Sequence, residues 1–468
     1  MAELSLGVIG LGTMGANLAR NAARKGAEVA VYNRTTEKMT TFIEEYKDEG
    51  NFIPCETLED LVNALESPRA ILIMVKAGEA VDAVIGDLLP NLNKGDILID
   101  GGNSHYKDTK KRVQDLQKKG IHFIGMGVSG GEEGALHGPS MMPGGSQEGY
   151  RIIEPLLTKM AANDGEGGKC MSYCGPDGAG HFVKMVHNGI EYGIMQCIAE
   201  SYDMLKKVGE YSNEELAKLF AEWNENDPDL QSFLIEITGK IFQKKDDKTG
   251  NDLIDMILDK AAQKGTGKWT TEAALTEGIA IPSITAAVDA RILSGAKEMR
   301  TGRAAHWPDV TEEMSVDKQE LATMTRDALS LSIITCYTQG LELIQKSADE
   351  FGWELNLSVQ AIQIWKGGCI IRSKLLSALE KAKEDEGKGT QDLLNRFAGD
   401  HQKNWREFVC LGVKNGIPLP AISASLAYYD AYRTERLPQN LIQAQRDFFG
   451  AHTYERIDRK GTFHTEWE

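Results

Sequence analysis

Leu4-Ser5-Leu6-Gly7-Val8-Ile9, running straight into Gly10-Leu11-Gly12-Thr13-Met14-Gly15, is the stretch that decides the fold of this chain. The first six residues read as a buried strand. A helix-like run follows the glycines to about Gly26, and residues 28–32, EVAVY, read as a second strand. Strand, glycine loop, helix, strand is the setting in which a G-x-G-x-x-G motif binds a dinucleotide. The first glycine permits a tight turn and the second lets a pyrophosphate approach the backbone. The third lets helix and strand pack closely, with the helix N-terminus facing the phosphates. A glycine-rich turn without a ligand is the weaker reading of that order.

The end of the second strand speaks to the choice of coenzyme. An NAD site normally places Asp or Glu there for the ribose 2′-hydroxyl. This chain has Asn33-Arg34-Thr35 instead. A guanidinium and a hydroxyl suit a 2′-phosphate, so NADP is expected. More βα units follow: residues 70–75 lead into Lys76-Ala77-Gly78, residues 96–100 into Gly101-Gly102-Asn103-Ser104, and residues 121–128 into Ser129-Gly130-Gly131. Ligands of open parallel sheets sit beyond the carboxyl ends of the strands, where all three loops fall. Ser129-Gly130-Gly131 offers backbone N–H groups and a hydroxyl to a carboxylate or phosphate. Asn103 adds an amide within reach of coenzyme or substrate.

At 468 residues, with 41% hydrophobic and 26% charged residues, the chain has room for two or three domains around a large core. A net charge of −17 argues against general nucleic-acid binding. It also requires any anionic ligand to be held by a local basic cluster. The apolar runs are too short to span a membrane, and the first residues lack the layout of a secretory signal. Seven scattered cysteines without a C-x-x-C pair suggest neither a metal site nor disulfides. Reduced thiols in a cytoplasmic protein are the expectation.

Residues 163–177 are glycine-rich and polar and read as the exit from a first domain, 1–177. From Gly178 the pattern becomes helical. Apolar runs of period 3.6 fall at 179–208, 213–223, 230–243, 252–264, 270–277, 283–298, 318–350, 358–381, 391–414 and 420–434. Residues 214–223 with 230–235 faintly resemble residues 357–365 with 369–376, which suggests two similar helical sets side by side. Residues 300–318 and 380–390 read as loops. Within residues 178–193, GAGHFVKMVHNGIEYG, a helix places Lys184, His187, Asn188, Glu191 and Tyr192 on one stripe, at offsets 0, 3, 4, 7 and 8. Solvated stripes are commonly runs of Glu, Lys and Gln. This one combines an amine, an imidazole, an amide, a carboxylate and a phenol, all fit for proton chemistry. On pattern alone, surface and site are evenly matched.

Lys264-Gly-Thr-Gly-Lys268-Trp269 lacks the spacing of a nucleotide-triphosphate loop, although its lysines and backbone suit a phosphate. The last segment, 439–468, carries Phe448, Phe449, Tyr454, Phe463 and Trp467, where an exposed tail is usually poor in aromatics. It is expected to dock on its own chain or a neighbour.

The combination of VKMVHNGIEYG, GVSGGEEGALHGPS, KGTGKW and QAQRDFFGAHTY resembles the 6-phosphogluconate dehydrogenase family, NADP-dependent decarboxylating enzymes of the pentose phosphate pathway. The likeness covers essentially the whole chain. Related 3-hydroxyacid dehydrogenases share the N-terminal domain but lack the long helical region and the tail. The resemblance implies an α/β Rossmann-type coenzyme domain, then a large all-helical domain at 178–438 for substrate and dimerisation. The tail would reach into the partner of a homodimer.

By motif, Gly10 to Gly15, Asn33 to Thr35, Val75, Lys76, Ala77 and Asn103 would touch NADP. Asn103, Ser129, Gly130, Gly131, His187, Asn188, Tyr192, Lys264 and Arg291 would hold 6-phosphogluconate, with Arg446 and His452 supplied by the other subunit. Lys184 would be the general base and Glu191 the general acid, with no metal. Gly12 stands where many members carry Ala, and nothing functional carries over to residues 300–318. Two readings compete: a non-decarboxylating 3-hydroxyacid dehydrogenase and a catalytically silent NADP-binding scaffold.

Overall fold

A computed structural model describes residues 5–306, 316–353, 356–386, 394, 397–399 and 401–467. Its first part is a seven-stranded sheet: β1 (Ser5–Ile9), β2 (Glu28–Tyr32), β3 (Asn51–Pro54), β4 (Ala70–Ile73), β5 (Ile97–Asp100), β6 (His122–Ser129) and β7 (Ser140–Gly145). Their order is β3-β2-β1-β4-β5-β6-β7. Only β7 runs antiparallel to its neighbour, pairing Ser129 with Ser140 and Ile124 with Gly145. Side chains alternate between two cores, as strand geometry requires. Leu6, Val8, Leu72, Ile97 and Ile99 enter one layer of helices, and Ile9, Ala30, Ile71, Ile73 and Leu98 the other. Burial on both faces explains why β4 and β5 read as unbroken apolar runs rather than as alternation.

Strands β1, β2, β4, β5 and β6 lie close to their expected places. β3 and β7 escaped the sequence reading. β3 is a four-residue edge, and β7, SMMPGG, carries proline and glycine, which sheets usually avoid. The glycines have a local cause. A Cβ on Gly144 would come within 2.3 Å of the Gly180 nitrogen, so only glycine leaves room for the helix above.

That helix, Ala179–Lys207, crosses β6 and β7 and then packs against the 33-residue helix Lys318–Glu350. Both run through the core, and their contact is close: a Cβ on Gly340 would meet Ile190 at 2.4 Å. The faint repeat has a spatial counterpart, because Ser232 and Ser373 form an antiparallel bridge between the two similar segments.

Two helical expectations are corrected. Residues 252–264 hold only a short helix, Leu253–Met256, and beyond it Ile257 and Leu258 are 58% and 62% exposed. Their apolar side is not buried among the described residues, and periodicity without burial does not sustain a helix. Residues 358–381 break into Leu357–Trp365 and Leu375–Glu386 around Gly367 and Gly368. Gly368 has φ +63 and its carbonyl accepts from Ser140 N. The 300–318 stretch opens in the helix Lys297–Ala304, and residues 307–315 lie outside the described residues. So do 387–390 of the second expected loop and 391–393, 395–396 and 400 of the helix expected at 391–414, whose described part is His401–Lys414.

The chain ends in the helix Gln439–Gly450 and a hairpin pairing Tyr454 with Phe463. No helix among the described residues is long and apolar enough to cross a membrane.

Candidate active site

The glycine loop is shaped by contacts that a side chain would destroy. A Cβ on Gly10 would strike the Met74 carbonyl at 2.4 Å, and one on Gly15 the Gly10 carbonyl at 2.0 Å. Asn33 Oδ1 accepts the Leu11 N–H at 3.0 Å, tying the loop to the end of β2. A cleft of about 430 Å³ opens there, lined by Gly10, Gly12, Asn33, Arg34, Thr35, Val75 and Lys76 among others. Lys38 and Asp87 also face it, so three cations, Arg34, Lys38 and Lys76, stand against one carboxylate in a cleft suited to phosphate groups. The residues fit a phosphorylated dinucleotide. Of the expected contacts, Leu11, Thr13, Met14, Gly15, Ala77 and Asn103 do not line this cleft; Leu11 and Thr13 border an adjoining hollow. Lys38, in the first turn of the helix Thr36–Tyr46 that follows Thr35, was missed.

The polar stripe of the 179–207 helix is not surface. Lys184 is 6% exposed, His187 is fully buried and Tyr192 is buried, while Glu191 and Asn188 are partly covered. The cause is the glycine pattern of β6. A Cβ on Gly127 would meet Lys184 Cβ at 2.3 Å, so the helix lies directly on the strand and carries Lys184 to the Ser129 end.

His187 organises the group. Its Nε2 lies 3.2 Å from Ser129 Oγ and its Nδ1 3.1 Å from Asn188 Oδ1. With the Asn188 amide donating to Thr266 Oγ1 at 3.1 Å, Nδ1–H donates to Asn188 and Nε2 accepts from Ser129. Lys184 Nζ and Glu191 Oε2 flank the same Nδ1, at 3.4 Å and 3.8 Å.

Burial drives the titration of all three groups. It pushes the Lys184 amine down, against the pull of Glu191. It raises the Glu191 carboxyl, which Lys184 and Arg291 partly counter. Burial, reinforced by Lys184, also holds His187 well below its ordinary value, hence neutral. An amine pushed down and a carboxyl pushed up by the same burial have the properties that base and acid chemistry requires.

The remaining expected residues fall into two groups. Arg291 stacks 3.5 Å above the Tyr192 ring, on the same side as Glu191. Gly130 and Gly131 begin the helix Gly131–His137 directly after Ser129. Asn103 stands exposed after β5, and Lys264 is exposed one residue before Gly265, whose φ of +100 starts the Thr266–Thr276 helix. Arg446 and His452 are exposed in the tail, apart from this group.

Thr266 sits inside the KGTGKW motif but was passed over for its lysines. Trp365, whose ring meets His187 edge-on at 5.6 Å, is distant in sequence and left no local signal. Among the described residues no cluster suits a metal, and the seven cysteines are unpaired.

Residues 180–467 match the family described as 6-phosphogluconate dehydrogenase, C-terminal domain, and residues 5–175 match the NAD binding domain of 6-phosphogluconate dehydrogenase. The chain belongs to the 6-phosphogluconate dehydrogenase family. It is 51% identical over its full length to the whole of a decarboxylating 6-phosphogluconate dehydrogenase of Synechococcus elongatus. It is 50% identical, again over the whole of both chains, to the NADP(+)-dependent decarboxylating enzyme of Bacillus subtilis. A 6-phosphogluconate dehydrogenase of Plasmodium falciparum, described in its apo form and in complex with NADP+ and with 6-phosphogluconate, superimposes with a TM-score of 0.93. That pair shares 42% identity, with 100% of each chain covered. Family membership accounts for the sheet-then-helices architecture and for the use of NADP.

Proposed function

We infer that this chain oxidises 6-phosphogluconate and decarboxylates it to ribulose 5-phosphate and CO2, with NADP+ reduced to NADPH. The observation that carries the reading is Lys184: an amine buried over β6 beside His187, which bonds Ser129, with its charge disfavoured by burial. In neutral form it takes the proton of the C3 hydroxyl. The coenzyme, when bound, supplies the hydride acceptor. Lys184, now protonated, hydrogen-bonds the carbonyl oxygen and stabilises the charge that develops there as CO2 departs. Glu191, its carboxyl raised by burial, then delivers a proton to the carbon from which CO2 departed, C2 of the sugar acid and C1 of ribulose 5-phosphate. The two residues are two helical turns apart, a rise of ~10.5 Å, a span that suits different carbons of one extended sugar acid.

Ser129, Gly130, Gly131, His187 and Asn188 hold the carboxylate end and the hydroxyls, with Asn103 between coenzyme and substrate. Tyr192, Lys264 and Arg291 receive the phosphate, completed by Arg446 and His452 of a second copy. Residues 1–177 then serve the coenzyme, 178–438 the substrate and the dimer contact, and 439–468 the partner's site. The unpaired cysteines suit a cytoplasmic setting.

The test follows NADPH and CO2 together with 6-phosphogluconate as substrate. The wild type should release both in equal amounts, and Lys184→Ala should lose about 10²–10⁴-fold in kcat. NADPH formed without CO2 would favour a plain 3-hydroxyacid dehydrogenase. Unchanged turnover in the variant would remove Lys184 from the mechanism.

A further inference from the structure

We propose that Arg112 and His181 are positioning residues, holding the loops after β4 and β5 and the start of the Lys184 helix in one hydrogen-bonded frame. The inference rests on reading those two loops as coenzyme contacts. Arg112, on the helix Tyr106–Gln117, is 6% exposed. A buried ion pair such as Arg112 with Asp100 is seldom more stabilising than an apolar replacement, so its presence calls for another account.

Its bonds supply one. Nε and Nη2 donate to the two carboxylate oxygens of Asp82, at 2.7 and 3.1 Å. Nη2 also donates to the Gly78 carbonyl at 3.1 Å, closing the 76–78 loop. Nη1 donates to Asp100 Oδ2 at 3.4 Å. Asp100 is the fully buried last residue of β5, and it accepts from Ser104 Oγ at 2.6 Å and from Gly102 N at 3.0 Å. These bonds fold the 101–104 loop over the strand and leave Asn103 turned out to solvent.

The frame continues into the helical part. The Asp100 carbonyl lies 3.1 Å from His181 Nε2. A carbonyl only accepts, so Nε2 carries the proton, and Nδ1 accepts from Thr109 Oγ1 at 2.6 Å. Thr109 is one turn before Arg112 on its helix, and His181 one turn before Lys184 on the other. A Cβ on Gly125 would approach His181 Nδ1 to 2.8 Å and Thr109 Cγ2 to 2.4 Å, so the imidazole has no room to shift. Neither Arg112 nor His181 lines the coenzyme cleft, so both act through the loops and the helix they hold.

The same strand offers a control. Asp96, just ahead of β5 at its other end, pairs with Arg69 at 3.0 Å and is fully buried, yet it touches neither loop. The experiment measures NADP affinity directly by titration calorimetry, together with steady-state kinetics and thermal melting, for Arg112→Met, Arg112→Lys, His181→Phe and Arg69→Met. Arg112→Met and His181→Phe should weaken NADP binding about tenfold or more and lower kcat. The KM for 6-phosphogluconate should stay within about twofold. Arg112→Lys should recover part of the NADP affinity, and Arg69→Met should lower the melting temperature while leaving NADP affinity unchanged.

NADP affinity within about twofold of wild type in both Arg112→Met and His181→Phe would overturn the proposal, as would an equal loss in Arg69→Met. Should Arg112→Met fail to fold, Arg112→Lys carries the comparison: it keeps the charge but loses the fork, so a wild-type affinity there counts against the frame. A wild type that binds NADP but does not turn over 6-phosphogluconate fails the functional reading alone, and the affinity comparison still stands.

Discussion

Lys184 illustrates how a single residue is made useful at a cost to the fold. Its burial depresses the amine from the ordinary value of 10.5. Between that value and the lowered folded one, the unfolded chain binds a proton that the folded chain does not. Stability therefore rises with pH through that window and falls as the solution is acidified. Lys184→Met keeps the length of the side chain and removes the ionisable group. The variant should be inactive yet melt at a higher temperature than the wild type near neutral pH, with the difference shrinking as pH approaches 10.5. A lower melting temperature at neutral pH would show that the buried amine is not a burden.

The stripe containing Lys184 was legible from spacing alone, since helical period fixes which residues share a face. Whether that face is wet or dry was not legible. That depends on Gly127 and Gly125 lying under it, and nothing local to residues 178–193 reports the neighbour strand.

At the scale of elements, the sequence spoke most clearly where burial was two-sided and uniform. β4 and β5 read as strands because every residue in them is buried. β7 did not, because its glycines serve the approach of another element. Residues 252–264 misled in the opposite direction, offering a helical pattern that finds no burial among the described residues.

The 179–207 helix shows a further element-level feature. Near its C-terminal end Glu200, 3% exposed, accepts the Ala421 and Ile422 N–H groups at 2.8 and 2.9 Å and so caps the helix Pro420–Tyr432. Burial pushes its carboxyl up to about 7, against those bonds. The folded state thus holds this proton more tightly than the unfolded one. The contribution is present in full below the ordinary 4.5 and is lost as pH rises through about 7. Relative to Glu200→Gln, the wild type should lose on the order of 3 kcal/mol of stability between about pH 4.5 and pH 8. Urea unfolding at both pH values gives the comparison, and a constant difference would mean that Glu200 does not titrate in the fold.

The whole molecule poses a question of completeness. The chain carries −17 overall, yet the phosphate end of the proposed site needs several cations, and two of those expected lie in the tail. That tail is folded on itself. Asp447, fully buried, would be raised by its burial, but bonds from His464, Trp467 and the Thr465 and Thr453 N–H groups hold it at about 2. Around this internal post Phe448 and Phe449 stand 55% and 73% exposed, and Leu441 and Ile442 62% and 54%. A rigid unit with an apolar exterior is built to sit against something.

If it sits in the partner of a two-fold dimer, Lys184 and Arg446 of one chain serve different sites. Mixing then distinguishes the arrangements. Lys184→Met and Arg446→Ala each leave both sites of their own homodimer defective. Co-expressed in equal amounts, half of the dimers are mixed, and each mixed dimer has one site carrying both defects and one carrying neither. Activity should return to about a quarter of the wild-type level. If the tail serves its own chain, each site of the mixed dimer carries one defect, and no activity returns.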